Sequence, residues 1–177
     1  MLEIRKANIA DLKDIIDLYD IVIDDMRNTQ YDLGWEKDMY PSHQYINDSI
    51  MNNELYIGVN HHQIVSAMML NHHNNEEYQN INWLVNVNDE QMIVIHTLAV
   101  LPICRGQGIA KEMVKHAFTL SKQNQYQSIR LDVLEGNIPA MKLYEGLGFQ
   151  YLDTIAVDIA GEDLNFLVYE LNCSNNK

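Results

Sequence analysis

The chain has 177 residues, 47% of them hydrophobic, and a formal net charge of −13. That length suits one domain with a substantial core, and the acidity argues against a nucleic-acid phosphate backbone as partner. No apolar run is long enough to cross a bilayer and the start lacks a charged-then-apolar signal, so the expectation is a cytoplasmic protein with no membrane partner.

In chain order, Leu2 to Lys6 reads as an edge strand. Asn8 with Asp11 three residues on has the form of a capping box that opens a helix. Leu12, Ile15, Ile16, Tyr19, Ile23 and Met26 mark that helix's buried side. Residues 28 to 42 break the pattern into a polar, aromatic loop holding Tyr31, Trp35 and Tyr40. A short helix follows over Ser42 to Met51. Glu54 to Asn60 and Gln63 to Leu70 read as a hairpin with His61 and His62 near its turn. Asn71 to Asn80 is a polar excursion, and Ile81 to Val87 reads as an extra strand.

Met92 to Val100 is long, β-branched and apolar on both faces, which suits a central strand. Residues Arg105-Gly106-Gln107-Gly108-Ile109-Ala110 then lead into a helix whose face carries Ala110, Met113, Val114, Ala117 and Phe118. A glycine loop between a buried strand and a helix start gathers unpaired backbone N–H groups, and such a point binds phosphate. Ile129 to Val133 reads as another buried strand. After it, Asn137 is an N-cap, Pro139 fits the first turn, and Ala140, Leu143, Tyr144 and Leu147 make an apolar helix face. Gly148 supplies a left-handed stop. Phe149 to Ile159 and Leu164 to Leu171 read as a final hairpin.

Three phosphate loops have this general form. A Walker loop needs Gly-Lys-Ser/Thr, whereas Ile109 and Ala110 follow Gly108 here. A dinucleotide loop is met at Gly106 and Gly108, but Lys111 takes the third glycine position. That loop also follows its strand tightly, and Leu101 to Arg105 intervene. The third is the loop of the Gcn5-related N-acetyltransferases (GNAT). Arg105-x-x-Gly108-x-Ala110 after Val100-Leu101-Pro102 resembles it, and Asn137-x-x-Ala140-x-x-Leu143-Tyr144 with Gly148-Phe149 resembles that family's second signature. Both stand in the family's order, and the resemblance covers nearly the whole chain.

The resemblance implies a GNAT fold: an α/β mixed, mostly antiparallel sheet splayed between its fourth and fifth strands, with flanking helices. It implies a single N-acetyltransferase domain over 1–172, a frayed tail over 173–177, and acetyl-CoA as co-substrate. Leu98, Ala99 and Val100 would bind the pantetheine arm through the strand backbone. Arg105, Gly106, Gln107, Gly108, Ile109, Ala110 and Lys111 would wrap the diphosphate, chiefly through main-chain N–H groups. Asn137 and Ala140 would contact the cofactor, and Tyr144 would touch it as general acid; the bland alternative for Tyr144 is a core tyrosine. His96 resembles the strand histidine of arylalkylamine acetyltransferases and is a candidate base, with a water chain or a packed core histidine as the alternatives.

Acceptor choice is expected in the aromatic loop. Tyr31, Trp35 and Tyr40 are its candidate substrate contacts, and Asp24, Asp25 or Glu36 could pair with a cationic amine. A buried ring anchoring a lid is the other reading for Trp35. The acceptor is expected to be a primary amine of a small molecule or peptide, and the family resemblance suggests a homodimer. A non-catalytic acetyl-CoA sensor or partner-binding module remains the competing class of function. No metal is expected: a strand over Gln63 to Leu70 would hold His61 and His62 roughly 25–30 Å from His72 and His73. Cys104 and Cys173 have neither disulfide nor metal spacing and read as free thiols.

Overall fold

The computed structural model of the chain describes residues 2–27, 29, 34–74, 76–159 and 161–174. Its elements are β1 (Glu3–Lys6), α1 (Leu12–Met26), α2 (His43–Met51), β2 (Leu55–Asn60), β3 (Gln63–Asn71), β4 (Met92–Val100), α3 (Ile109–Asn124), β5 (Ser128–Leu134), α4 (Ile138–Gly146), β6 (Gln150–Ile159) and β7 (Glu162–Asn172). The strands form a seven-stranded sheet in the order β1-β2-β3-β4-β5-β7-β6. It is mixed: β4 and β5 pair in parallel, while β1–β2, β2–β3, β5–β7 and β6–β7 are antiparallel. The parallel ladder starts at the first residue of both strands, Met92↔Ser128, and stops at Val94↔Arg130, well short of their C-terminal ends.

The chain divides into two units, Met1–Leu70 with His96–His116, and Asn71–Ile95 with Ala117–Lys177. In the first, Asn8 and Asp11 complete the expected capping box, although one 3-10 turn precedes α1. The buried side of α1 is Ile15, Leu18, Tyr19, Val22, Ile23 and Met26. Leu12 and Ile16, expected there, are only half-buried. α2 packs on α1 and buries Ile46 and Ile50. Its cap is Ser42, whose side chain accepts the Tyr45 N–H. The hairpin turn between β2 and β3 is His61-His62, both left-handed at φ +48° and +65°. That pair of angles matches the twist of the flanking strands.

His116, on α3, lies with its ring 5.2 Å from that of Tyr56. Its Nε2 is buried without a hydrogen-bond partner among the described residues. Burial holds its pKa below the ordinary 6.5.

The second unit corrects one expectation. Residues 81–87 form no strand. At Leu84 and Val85 a buried ion pair satisfies the backbone instead. Glu170, fully buried, accepts the N–H groups of Leu84 and Val85 and faces Arg130 Nε at 3.2 Å. Arg130 donates in turn to the Val85 carbonyl and lies 3.8 Å beneath the Trp83 ring. With their donors and acceptor taken by side chains, Leu84 and Val85 gain nothing from pairing with a strand. Tyr78, Ile81 and Trp83 pack on Val168, Leu152 and Ile155 of β6 and β7. Nearby, His72 Nδ1 donates to the Met92 carbonyl at 2.6 Å, a structural task for one of the paired histidines.

Two stability measurements follow. Glu170→Ala strands the Arg130 charge, and urea unfolding should show a loss of about 3–5 kcal/mol; Glu170→Gln, which keeps an acceptor for Leu84 and Val85, should lose less. For His116 the folded pKa lies below the unfolded value, so the unfolded chain binds the extra proton and stability rises with pH through that interval. The urea midpoint should therefore fall as pH drops below 6.5, and His116→Phe should flatten that slope.

Candidate functional site

β4 changes character along its length. Met92 to Ile95 are all buried, after which half-buried His96, Leu98 and Val100 alternate with buried Thr97 and Ala99. Within this strand Thr97 is left-handed, at φ +50°. A β-branched residue rarely adopts that region. The hydroxyl of Tyr19 on α1 donates to the Thr97 carbonyl at 2.9 Å and lies 3.1 Å from its Oγ1.

Beyond β4, Leu101 N–H donates to the Val65 carbonyl and a 3-10 turn runs through Pro102–Cys104. This turn occupies the interval between strand and loop. Gly106 and Gly108 are left-handed at φ +74° and +79°, and buried Ile109 anchors the start of α3. The first bond of the α3 ladder is Glu112 N–H to the Gly108 carbonyl. The N–H groups of Ile109, Ala110 and Lys111 precede that bond and have no acceptor within the helix. Arg105, Gly106, Gln107, Gly108 and Lys111 are exposed and Ala110 is half-buried. The Arg105 guanidinium forms an ion pair with Asp25, and Gln107 reaches back to the Ile103 carbonyl at 3.3 Å.

In the described part of the aromatic segment, rings meet one another and α1. Trp35 meets Tyr19 edge-on at 6.0 Å and Tyr40 at 6.2 Å, and Tyr40 stacks on Tyr45. Trp35 is half-buried, whereas Tyr40 is 45% exposed. Two of the carboxylates expected to await a cation already have one: Asp24 pairs with Lys37 and Asp25 with Arg105. Tyr31 lies outside the described residues.

In the second unit Asn137 caps α4, its side chain accepting the Ala140 N–H at 3.2 Å. That use of Oδ1 leaves the amide NH2 as the side chain's donor. Tyr144 is buried, with its ring edge-on to Phe149 at 5.5 Å. Burial, helped by the nearby Asp132 carboxylate, raises its pKa well above the ordinary phenol value. Among the described residues no group of three or more His, Cys, Asp and Glu side chains could hold a metal ion, and no helix is long and apolar enough to cross a membrane.

A family model described as the acetyltransferase (GNAT) family matches residues 16–149, a span that includes β4, the Gly106–Gly108 loop and the α4 segment. The chain belongs to the GNAT acetyltransferase family. Solved structures of similar fold include a GNAT-family acetyltransferase from Streptococcus agalactiae, 22% identical, with 97% of this chain and 95% of that one covered and a TM-score of 0.81. An N-acetyltransferase from Staphylococcus aureus is 17% identical over 98% and 99% of the two chains, with a TM-score of 0.73. NAA60 of Arabidopsis thaliana, solved in complex with acetyl-CoA, is 16% identical over 97% and 99%, with a TM-score of 0.70. At these identities the likeness shows the fold. A search of curated proteins finds no match.

Periodicity puts Tyr19 in the core but gives its hydroxyl no role. A buried tyrosine on an apolar helix face needs a polar partner, and that requirement was the available signal. Thr97's backbone left no sequence trace.

The loop's dependence on left-handed glycine is measurable. A Cβ at Gly108 would meet nothing within 4 Å, so the cost of Gly108→Ala is conformational. Urea unfolding should show a loss of about 1–2 kcal/mol. Gly146→Ala in α4, also with open space around it, should be neutral or stabilising by up to about 1 kcal/mol.

Proposed function

We propose that this chain transfers an acetyl group from acetyl-CoA to a primary amine of a small molecule or peptide by direct attack on the thioester. The observation that carries the reading is the junction at Gly108, in a chain of this family. There the N–H groups of Ile109, Ala110 and Lys111 precede the first bond of α3. Such a cluster suits a diphosphate. Arg105 is engaged with Asp25, so the main chain of 106–111 is the principal anion ligand. Leu98, Ala99 and Val100 offer strand backbone to the pantetheine arm. Asn137 retains its NH2 group as a donor toward the same co-substrate, with Ala140 beside it on α4.

Tyr144 supplies the proton that the departing thiolate needs. Burial makes this phenol a weaker acid, so it stays protonated throughout the working pH range. The same shift makes transfer to a thiolate, whose conjugate acid lies near about 8.5, run uphill. Proximity and developing charge must offset that difference. His96, half-buried on β4, is the candidate base that removes the ammonium proton, directly or through water. Trp35 and Tyr40 form the acceptor side, and their ring contacts suit an acceptor with an apolar body. The acidic overall charge favours a cationic amine.

Calorimetry with acetyl-CoA, followed by a thiol-release screen over amines, peptides and aminoglycosides, tests the proposal. Tight binding with acceptor-dependent thiol release is the expected result; tight binding with no release over a broad panel identifies a sensor instead. In the active protein Tyr144→Phe should lower kcat by about 100-fold with acetyl-CoA affinity unchanged. Full turnover in that variant removes Tyr144 from the acid role.

A further inference from the structure

We propose that Tyr19 is a positioning residue for acetyl transfer, its hydroxyl holding Thr97 in the left-handed conformation that aims the backbone amide of Leu98. The inference rests on the acetyl-transfer reading above.

Thr97 stands inside a strand at φ +50°. For a residue with a Cβ, let alone a branched one, that conformation costs energy and persists only where surrounding structure over-determines it. The surrounding structure here is Tyr19, buried on α1 and 78 positions away in sequence. Its O–H donates to the Thr97 carbonyl at 2.9 Å and meets Oγ1 at 3.1 Å, so one hydroxyl secures both the main chain and the side chain of the strained residue. A trans peptide is planar, with its carbonyl and the next N–H on opposite sides. Fixing the Thr97 carbonyl toward α1 therefore fixes the Leu98 N–H away from α1. A donor locked in one direction before the reaction stabilises charge developing on a thioester oxygen without reorganising when the reaction occurs.

The Tyr19 ring is itself held. Trp35 of the aromatic segment packs edge-on against it at 6.0 Å. Burial keeps the phenol protonated, and hence a donor, at any working pH. Filling a core requires the ring alone, and phenylalanine would serve. The hydroxyl's two contacts with a single strained residue are what set Tyr19 apart.

The experiment compares Tyr19→Phe, Thr97→Gly and the double variant with the wild type. For Tyr19→Phe the expected kcat is at least about tenfold lower, because a mis-aimed donor forfeits much of an oxyanion contact, while the acetyl-CoA dissociation constant by calorimetry is unchanged. Glycine adopts φ +50° without strain, so in the Thr97→Gly background the same Tyr19→Phe change should have little effect on kcat. A crystal structure of Tyr19→Phe should show residue 97 released from the left-handed region. Turnover in Tyr19→Phe equal to wild type overturns the proposal, as does an equal penalty in the Thr97→Gly background or a parallel loss of kcat and affinity. Wild-type protein that binds no acetyl-CoA or releases no thiol overturns the functional reading first, an outcome distinct from any of these.

Discussion

A buried backbone carbonyl or amide must find a partner, and at several places in the described residues a side chain supplies it. The Tyr19 hydroxyl takes the Thr97 carbonyl where β4 inverts. Glu170 takes the Leu84 and Val85 amides where a strand would otherwise be needed. His72 takes the Met92 carbonyl, and Ser42 and Asn137 take the first amides of their helices. The α3 start is different. Ile109, Ala110 and Lys111 present their amides beside an exposed loop, where an anion can take the place that a capping side chain fills elsewhere.

The contacts that hold the fold differ from those on which the proposed chemistry rests. Arg130 and Glu170 are nearly or wholly buried and bind the excursion between β3 and β4 to its own unit. Removing one partner would leave a bare charge, which is why such a pair is costly to break even where it adds little net stability. Thr97 sits at the opposite extreme. Its backbone carries strain rather than relieving it, and strain of this kind gathers at sites where a donor or acceptor must be aimed. The acidic surface follows a similar division. Asp24 and Asp25 are committed to Lys37 and Arg105, so the negative charge near the aromatic segment organises the protein as well as its surroundings.

Much of this was legible from the residues. The helices over 43–51 and 138–146, the hairpin at His61-His62, the central strand over 92–100 and the loop to α3 appear where periodicity, caps and glycines placed them. Tyr144 and Asn137 are where the second signature set them, one buried on a helix face and one at its cap. The two misreadings have different causes. Residues 81–87 have a strand's apolar pattern, but Arg130 and Glu170, two charged residues far along the chain, take the hydrogen bonds of Leu84 and Val85 at its centre. Leu12 and Ile16 are apolar at nearly the right spacing, yet Leu18 and Val22 lie closer to the buried centre line of α1.

What the sequence alone determined is therefore what depends on near neighbours: helical and strand periods, caps, and the glycines that admit a left-handed turn. Tertiary structure alone decided the rest, because it depends on partners that meet only after folding. No local pattern encodes a phenol on α1 reaching a carbonyl on β4, a threonine held at φ +50°, or a carboxylate on β7 standing in for a strand. The energy of each lies in a contact across many residues, and the cost of forming it is repaid only when the whole chain has closed around it.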